Sequence, residues 1–590
     1  TLTKRANGAA SSVPLAGFPY HALDQHLYKL LNSGYRVAIC EQVEDPKKAK
    51  GIVKREVVEV VTPGTAVNDK FLNHKQNNFL ACIFIEAEIT GIALVDHSTG
   101  EFITAERKIA GMQDLIKQYQ PAEILVPECM QRDIETLLGN QFLYTPIVDW
   151  QFDPESSFIR LTEHFKTRNL KGFGIEKDSL SIVVCGVILN YLKQNCKSHT
   201  IHLTGIRSLQ NDGFLSLDAV TINNLELFKP LNGLNNESTL IHVLDKTVTP
   251  GGGRKLRKWM LNPLADIRKI EARQNMCSEL VEHEDFNDEI RHQLKNISDM
   301  ERIISKLSQN RANPRDVWHL GNSLETADRL KTNICTTKHA NLIKLIGDMR
   351  ELIPLVERIK STLNDNPPVQ HKNGGYIKTG FNSDLDNLRQ ISENASQWMA
   401  DYQTQEKLNT EIKNLKIKYN KVFGYFIEIS RLHQDKVPEH YIRKQTLTNS
   451  ERYFTPELKE FEDNILSATE KIQILEQQIF AELREDILVH AQSIQENSSL
   501  ISSLDVLTNF AFIALRNNYQ KPHITNSTKI ELKASRHPVI EKLLPMGEHF
   551  IPNHVHLSNK EQQIALITGP NMAGKSTYLR QIGLIVLMAQ

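Results

Sequence analysis

Eight residues near the end of the sequence have the types and spacing to hold a polyphosphate: Gly569, Pro570, Asn571, Met572, Ala573, Gly574, Lys575 and Ser576, with Thr577 following. They fit GxxxxGK[ST] at every fixed position. The glycines let successive backbone N–H groups curl around phosphate oxygens, and a helix starting there adds its positive end. Lys575 can carry an ammonium to the β- and γ-phosphates, and the Ser576 hydroxyl can ligate Mg²⁺. This chemistry needs a strand before the loop and a helix after it. Ile564 to Thr568 reads as a buried strand and Thr577 onward as an apolar helix, so the reading is nucleotide binding, with ATP and Mg²⁺ as ligands. Hydrolysis also needs a carboxylate after a later strand, expected beyond Gln590. The sequence, which opens on Thr1 and stops inside an apolar run, therefore reads as a piece of a longer ATPase that binds nucleotide poorly and does not turn it over.

Two other sets of residues invite chemistry and receive plainer readings. Asp96 and Glu101, in DHSTGEF (96–102), could hold Mg²⁺ for nuclease work, but an Asp at a hairpin turn is ordinary turn chemistry. His537, before Pro538, reads as a packing or hydrogen-bonding residue at a strand end rather than a base. The seven cysteines (Cys40, Cys82, Cys129, Cys185, Cys196, Cys277, Cys335) are scattered and form no CxxC pair, as free thiols in a reducing cytoplasm would. The longest apolar runs, 182–189 and 583–589, fall short of the roughly 20 residues of a membrane span.

The elements that position these residues are spread over several domains, as 590 residues imply. Residues 1–70 mix a helical stretch (21–34) with strand-like 37–40 and 57–64, a small α/β unit. Residues 78–215 alternate strands and helices as a second α/β domain, with a turn at His97 to Gly100. From 216 to 400 apolar spacing near 3.6 predicts long helices, broken at Thr249-Pro250-Gly251-Gly252-Gly253. Residues 401–456 carry alternating strands around Lys416, Lys418 and the turn-like Asn420-Lys421, an insert at the tip of a helical lever. Helix returns over 457–520, with a core stripe of Ile465, Ile472, Leu475, Ile479, Leu483 and Ile487, and 521–590 holds the phosphate loop. The predicted fold class is multidomain α/β with a long helical lever.

The charge balance of 70 Lys+Arg against 70 Asp+Glu disfavours nucleic acid only if charge is evenly spread. It is not. Residues 1–55 hold nine basic against four acidic residues and 406–452 ten against six, while 461–500 hold two against eight. Two basic regions on a phosphate-loop protein with a lever between them point to contact with a phosphate backbone.

The segments 14–46, 61–65 (VTPGT), 94–102, 245–264 (DKTVTPGGGRKLRKWMLNPL), 419–430, 443–462, 535–541 and 568–577 (TGPNMAGKST), in this order, resemble the MutS family of bacterial DNA mismatch-recognition ATPases over essentially the whole chain. The resemblance implies a mismatch-binding domain (1–70), an RNase-H-like connector (78–215), a helical core or lever (216–400 and 457–520), a clamp (401–456) and a P-loop ATPase domain of ABC type (521–590). It implies a dimer or tetramer that closes on double-stranded DNA carrying mismatches or small loops, ATP-driven conversion to a sliding clamp, and recruitment of a MutL-type partner. Carried over by residue, Gly569 through Thr577 match the phosphate loop, and Phe550 and Ile551 resemble the adenine contact, with Asn553 in the same stretch. Lys416, Lys418, Asn420, Lys421 and Arg443 lie in clamp-like segments as candidate DNA-backbone contacts. The family's Phe-x-Glu mismatch wedge is not found in the sequence. The competing readings are a structural DNA-clamp or recombination ATPase of ABC/SMC type that does not read mismatches, and a connector nuclease.

Overall fold

Alternation of apolar residues over the first 215 positions resolves into separate groups of strands. The computed structural model describes all residues except 1, 7–11, 20–21, 45–52, 68–71, 197–199, 210–212, 232–235, 372–373, 421–423, 448, 546 and 571–573. In the N-terminal part β1 (Leu2–Ala6) pairs antiparallel with β2 (Ser12–Ala16), and β3 (Val37–Gln42) with β4 (Arg55–Val61). Helix Leu23–Asn32 sets Leu27 and Leu31 against Val61 and Ala66, a small core of its own.

Next comes a six-stranded mixed sheet of β5 (Leu80–Glu86), β6 (Ile89–Asp96), β7 (Glu101–Lys108), β8 (Glu123–Pro127), β9 (Tyr144–Ile147) and β10 (Arg207–Ser208), in the order β10-β7-β6-β5-β8-β9. β5, β6 and β7 are antiparallel neighbours, while β8 runs parallel to β5 and β9 parallel to β8. Successive side chains take opposite faces: Leu80 and Cys82 enter one core, Ala81 and Ile83 the other. The apolar helix Leu180–Cys196 covers the first face, and Met112, Leu115 and Ile116 of helix Ile109–Tyr119 cover the second. A sheet buried on both faces gives the near-continuous apolar runs of its strands. Buried Glu123 holds the preceding VTPGT segment: Oε2 accepts from Thr62 Oγ1 and from Gly64 N at 3.1 Å, and Oε1 from Thr145 Oγ1 (2.6 Å) and Tyr191 OH (2.8 Å).

Two compact units make up the chain: Thr1–Ala312, Asn322–Leu352 and Leu488–Gln590 form one, Asn313–Gly321 and Ile353–Ile487 the other. In the first unit helix Ala491–Asn517 is the central element, packed by helices Pro250–Leu261, Ile267–Glu282, Glu284–Leu294 and Met300–Ser308. Among the described residues it alone is long and apolar enough to span a membrane by composition, and 67% of that stretch is buried in this core. Thr249 caps helix Pro250–Leu261, its hydroxyl accepting from Gly252 N at 2.9 Å, with Pro250 at the first helical position. The three glycines that follow allow close approach. A Cβ on Gly251 would collide with Ser502 Oγ, one on Gly252 with the Asp505 carboxylate, and one on Gly253 would lie 2.5 Å from Lys75 Cγ. Arg254 then forks onto Asp299 with two bonds of 2.7 Å, reaches Glu301 at 2.7 Å and donates to His74 O at 2.8 Å. Arg302 donates to Asn73 O and Gln76 O, and Lys75 pairs with Asp245 at 2.8 Å. Segment 73–76, between β4 and β5, is thus held by the helices.

In the second unit helix Ser383–Thr410 leads to an antiparallel sheet of β11 (Lys416–Asn420), β12 (Gly424–Ser430), β13 (Ile442–Thr446) and β14 (Ser450–Phe454), ordered β11-β12-β14-β13. Tyr402, Leu415, Ile427, Ile429, Tyr441, Tyr453 and Leu458 form its core. The helix continues to Thr410, so the expected boundary at 401 falls within it. In helix Pro456–Val489 the predicted stripe is buried at Ile479, Leu483 and Ile487 and half-buried at Ile465, Ile472 and Leu475. Buried Glu476 lies in the same helix, paired with Arg389 at 2.7 Å and accepting from Gly375 N at 3.0 Å.

The C-terminal part has β15 (Ile530–Ser535) antiparallel to β16 (Asn553–Leu557), then helix Lys575–Met588. The expected buried strand at Ile564 to Thr568 is not formed. Ile564 is 79% and Leu566 91% exposed, and the segment is irregular. No strand among the described residues lies beside it, so its backbone groups have no ladder to join and solvent takes them instead.

Candidate functional site

Helix Lys575–Met588 opens at Gly574, whose φ of +83° lies in the left-handed region that glycine reaches without strain. The N-cap is a glycine, and among the described residues no side chain bonds to the helix's first N–H groups, as an anion site requires. Lys575 lies at the first turn and donates from Nζ to the carbonyl oxygens of Gly569 (2.5 Å) and Pro570 (3.3 Å), bending back over the loop. Ser576 is exposed at the same end, and Thr577 is half-buried beside it. These residues fit a polyphosphate with its Mg²⁺: uncapped amides, one ammonium and one accessible hydroxyl. Asn571, Met572 and Ala573 lie outside the described residues.

The helix is fixed from below. Leu584 and Leu587 enter the core shared with Leu225, Leu256, Val506 and Val539, and Arg580 pairs with Glu226 at 3.0 Å. Phe550 and Ile551 lie just before β16, Phe550 half-buried and Ile551 82% exposed, available for contact with a planar base. The Asn553 amide is already engaged, donating to Gln581 Oε1 at 3.0 Å. His537 stands 6.5 Å from Phe550, ring to ring. Its Nδ1 accepts from Val539 N (3.3 Å) and Ile540 N (3.2 Å), the hydrogen-bonding role expected for it. Burial, with Arg580 nearby, lowers its pKa to about 4, so the ring is neutral. Sequence reasoning passed over Tyr578, Gln581 and Arg580. The i, i+3 spacing of Tyr578 and Gln581 was a signal, but their partners lie 24 to 46 residues earlier and are paired only by the fold.

Asp96 and Glu101 are spent structurally. Asp96 Oδ1 accepts from Ser98 N and Oγ, and Oδ2 from Asn77 Nδ2 and Asn78 N, the arrangement of a turn residue. Glu101 pairs with Lys258 at 2.5 Å and Arg207 at 3.5 Å. No cluster of three or more His, Cys, Asp or Glu suited to a metal occurs among the described residues. Cys40, Cys82, Cys129, Cys185, Cys277 and Cys335 are free thiols.

On the four-stranded sheet Lys416, Lys418 and Asn420 alternate along β11 and share one face, opposite Glu428, Phe426 and Gly424 of β12. Lys416 and Lys418 are both exposed, and Lys418 is paired with Glu428 at 2.7 Å. Arg452 stacks its guanidinium over the Phe426 ring at 4.3 Å on this face. Arg443 is opposite Tyr453 in the ladder and so belongs to the other face, near Glu451 at 3.3 Å. The sheet therefore brings three of the predicted contacts together and separates Arg443 from them. Lys421 lies outside the described residues.

Comparison with known proteins extends over the whole chain. Residues 1–70 match the family model of MutS domain I, 78–204 that of MutS domain II, 220–511 that of MutS domain III and 565–590 that of MutS domain V. The DNA mismatch repair protein MutS of Parabacteroides distasonis is 44% identical over 589 residues, taking in 100% of this chain and 67% of the relative. Those of Bacteroides fragilis (43%) and Flavobacterium johnsoniae (42%) likewise cover 100% of this chain and 68% of their own length. Likeness at this level along every part of the sequence has one reading: the chain belongs to the MutS family.

Proposed function

We propose that the protein recognises mismatched or unpaired bases in double-stranded DNA and initiates mismatch repair by clamping DNA under control of bound ATP. The observation that carries this reading is similarity over the whole of this chain, and about two thirds of the relatives' length, to proteins named for DNA mismatch repair. The phosphate loop on an uncapped helix supports ATP with Mg²⁺ as ligands, with Lys575 and Ser576 nearest the transferred phosphate. Gly569 through Thr577 form the phosphate end of this site and Phe550 and Ile551 its base end. Lys416, Lys418, Asn420, Lys421 and Arg443 are the proposed DNA-backbone contacts, on a clamp at 401–456. Residues 1–70 serve as the mismatch-binding part, 78–215 as an RNase-H-like connector, 216–400 and 457–520 as the lever, and 521–590 as the nucleotide part. The whole protein acts in the cytoplasm as a homodimer or tetramer, hydrolyses ATP in a DNA-dependent way and recruits a MutL-type partner.

The test uses the intact protein. It should bind heteroduplex more tightly than homoduplex, and Lys575→Ala should abolish ATP-induced release from DNA. Equal affinity for both duplexes sinks mismatch recognition and favours a clamp ATPase that does not read mismatches.

A further inference from the structure

The contacts that join the phosphate-loop helix to the strand beside Phe550 and Ile551 assign a role to Gln581. The β15–β16 ladder slips in register: Leu532 faces Val555 and Ser535 faces Asn553, so Lys533 and Ala534 together oppose His554. Ala534 takes φ +49°, a left-handed conformation uncommon for a residue with a Cβ, and its N–H donates to His554 Nδ1 at 3.3 Å. The His554 carbonyl accepts instead from the Tyr578 hydroxyl at 2.9 Å. One turn further along the helix, the completely buried Gln581 closes a ring of bonds. Its Oε1 accepts from Asn553 Nδ2 (3.0 Å), its Nε2 donates to Ser535 Oγ (2.7 Å), and the Ser535 hydroxyl donates to Asn553 O (2.9 Å).

We infer that Gln581, helped by Tyr578, is a positioning residue that fixes the separation between the phosphate end and the base end of the nucleotide site. This rests on the nucleotide reading given above. A buried apolar side chain would fill the same volume, yet it could slide along the strand. An amide bonded at both ends cannot slide without leaving buried polar groups unpaired. Helix Lys575–Met588 carries the phosphate end, and β16 starts two residues after Ile551, so the ring at Asn553 and Ser535 sets the span between them. A ligand held at both ends gains from a fixed span only if it reaches both. Loosening the span weakens the whole nucleotide and leaves its triphosphate portion unaffected.

The experiment compares MgATP with magnesium tripolyphosphate by titration calorimetry on the intact protein and on its Gln581→Met, Ser535→Ala and Lys575→Ala variants. Gln581→Met should lose about tenfold in ATP affinity and keep tripolyphosphate within about twofold, and Ser535→Ala should lose about threefold for ATP alone. Equal losses for both ligands would show that Gln581 merely props the loop, and unchanged ATP binding would show that it positions nothing. Either result overturns the inference. Should Gln581→Met not fold, Ser535→Ala decides by the same criteria. Failure of the unsubstituted chain to bind ATP in a Lys575-dependent way overturns the nucleotide reading itself, and the inference with it.

Discussion

At the residue scale, His537 accepts two backbone N–H groups through Nδ1, which only a neutral ring can do. Its pKa falls to about 4 in the folded protein, against about 6.5 in an unfolded chain. Between these values the unfolded state binds more protons, so stability declines as pH falls from about 6.5 to 4, by up to about 3 kcal/mol from this group. His202 shifts the same way through burial, again to about 4. His537→Asn keeps an acceptor without titrating in this range, so urea unfolding of the variant at pH 5 and pH 7.5 should differ by less than in the unsubstituted protein. Lys416 and Lys418 part company on similar grounds. Both are exposed, but Lys418 already has a carboxylate at 2.7 Å. Lys416→Ala should lower the salt slope of DNA binding by about 1 with little effect on mismatch discrimination, and Lys418→Ala should lower it by less. An identical change for both would refute the ranking. The sequence placed these lysines on one strand face by alternation; the Glu428 that restrains Lys418 comes from the neighbouring strand.

At the element scale, the start of helix Pro250–Leu261 shows why one sequence break holds three glycines. The helix meets helix Ala491–Asn517 at Gly251 and Gly252, and segment 73–76 at Gly253. Gly252→Ala would drive a methyl group into the Asp505 carboxylate, which accepts from Thr249 N at 2.8 Å, Thr249 Oγ1 at 2.6 Å and Val248 N at 3.1 Å. A loss of about 2–4 kcal/mol in chemical unfolding is expected. Gly172→Ala, with open space at its Cβ, should stay within about 0.5 kcal/mol. Thr249-Pro250 and the glycines were legible as a break before a helix. Their crowding was not, because Ser502 and Asp505 stand some 250 positions away in sequence. The unformed strand at 564–568 is the converse case. Ile564, Ile567 and Thr568 have strand propensity, but propensity without a neighbouring strand leaves the backbone with water.

At the scale of the whole molecule, zero net charge hides basic clusters, so DNA binding should fall steeply with salt despite a balanced composition. A salt slope near zero for the intact protein would remove the phosphate-backbone contacts from the account. The same unevenness shows how far local pattern reaches. The GxxxxGK[ST] motif, the strand–helix alternation of 78–215, the long helices and the inserted strands each follow from spacing within a few residues, where backbone geometry fixes which side chains share a face. Family membership follows from the sequence for the same reason, since it rests on the order of such segments. Only the tertiary structure decided that Asp96 and Glu101 are locked by Asn77, Lys258 and Arg207, that Arg443 faces away from Lys416, and that Gln581 ties the phosphate-loop helix to β15 and β16. Each of these depends on a partner far along the chain, and periodicity cannot name a partner that only packing brings within reach.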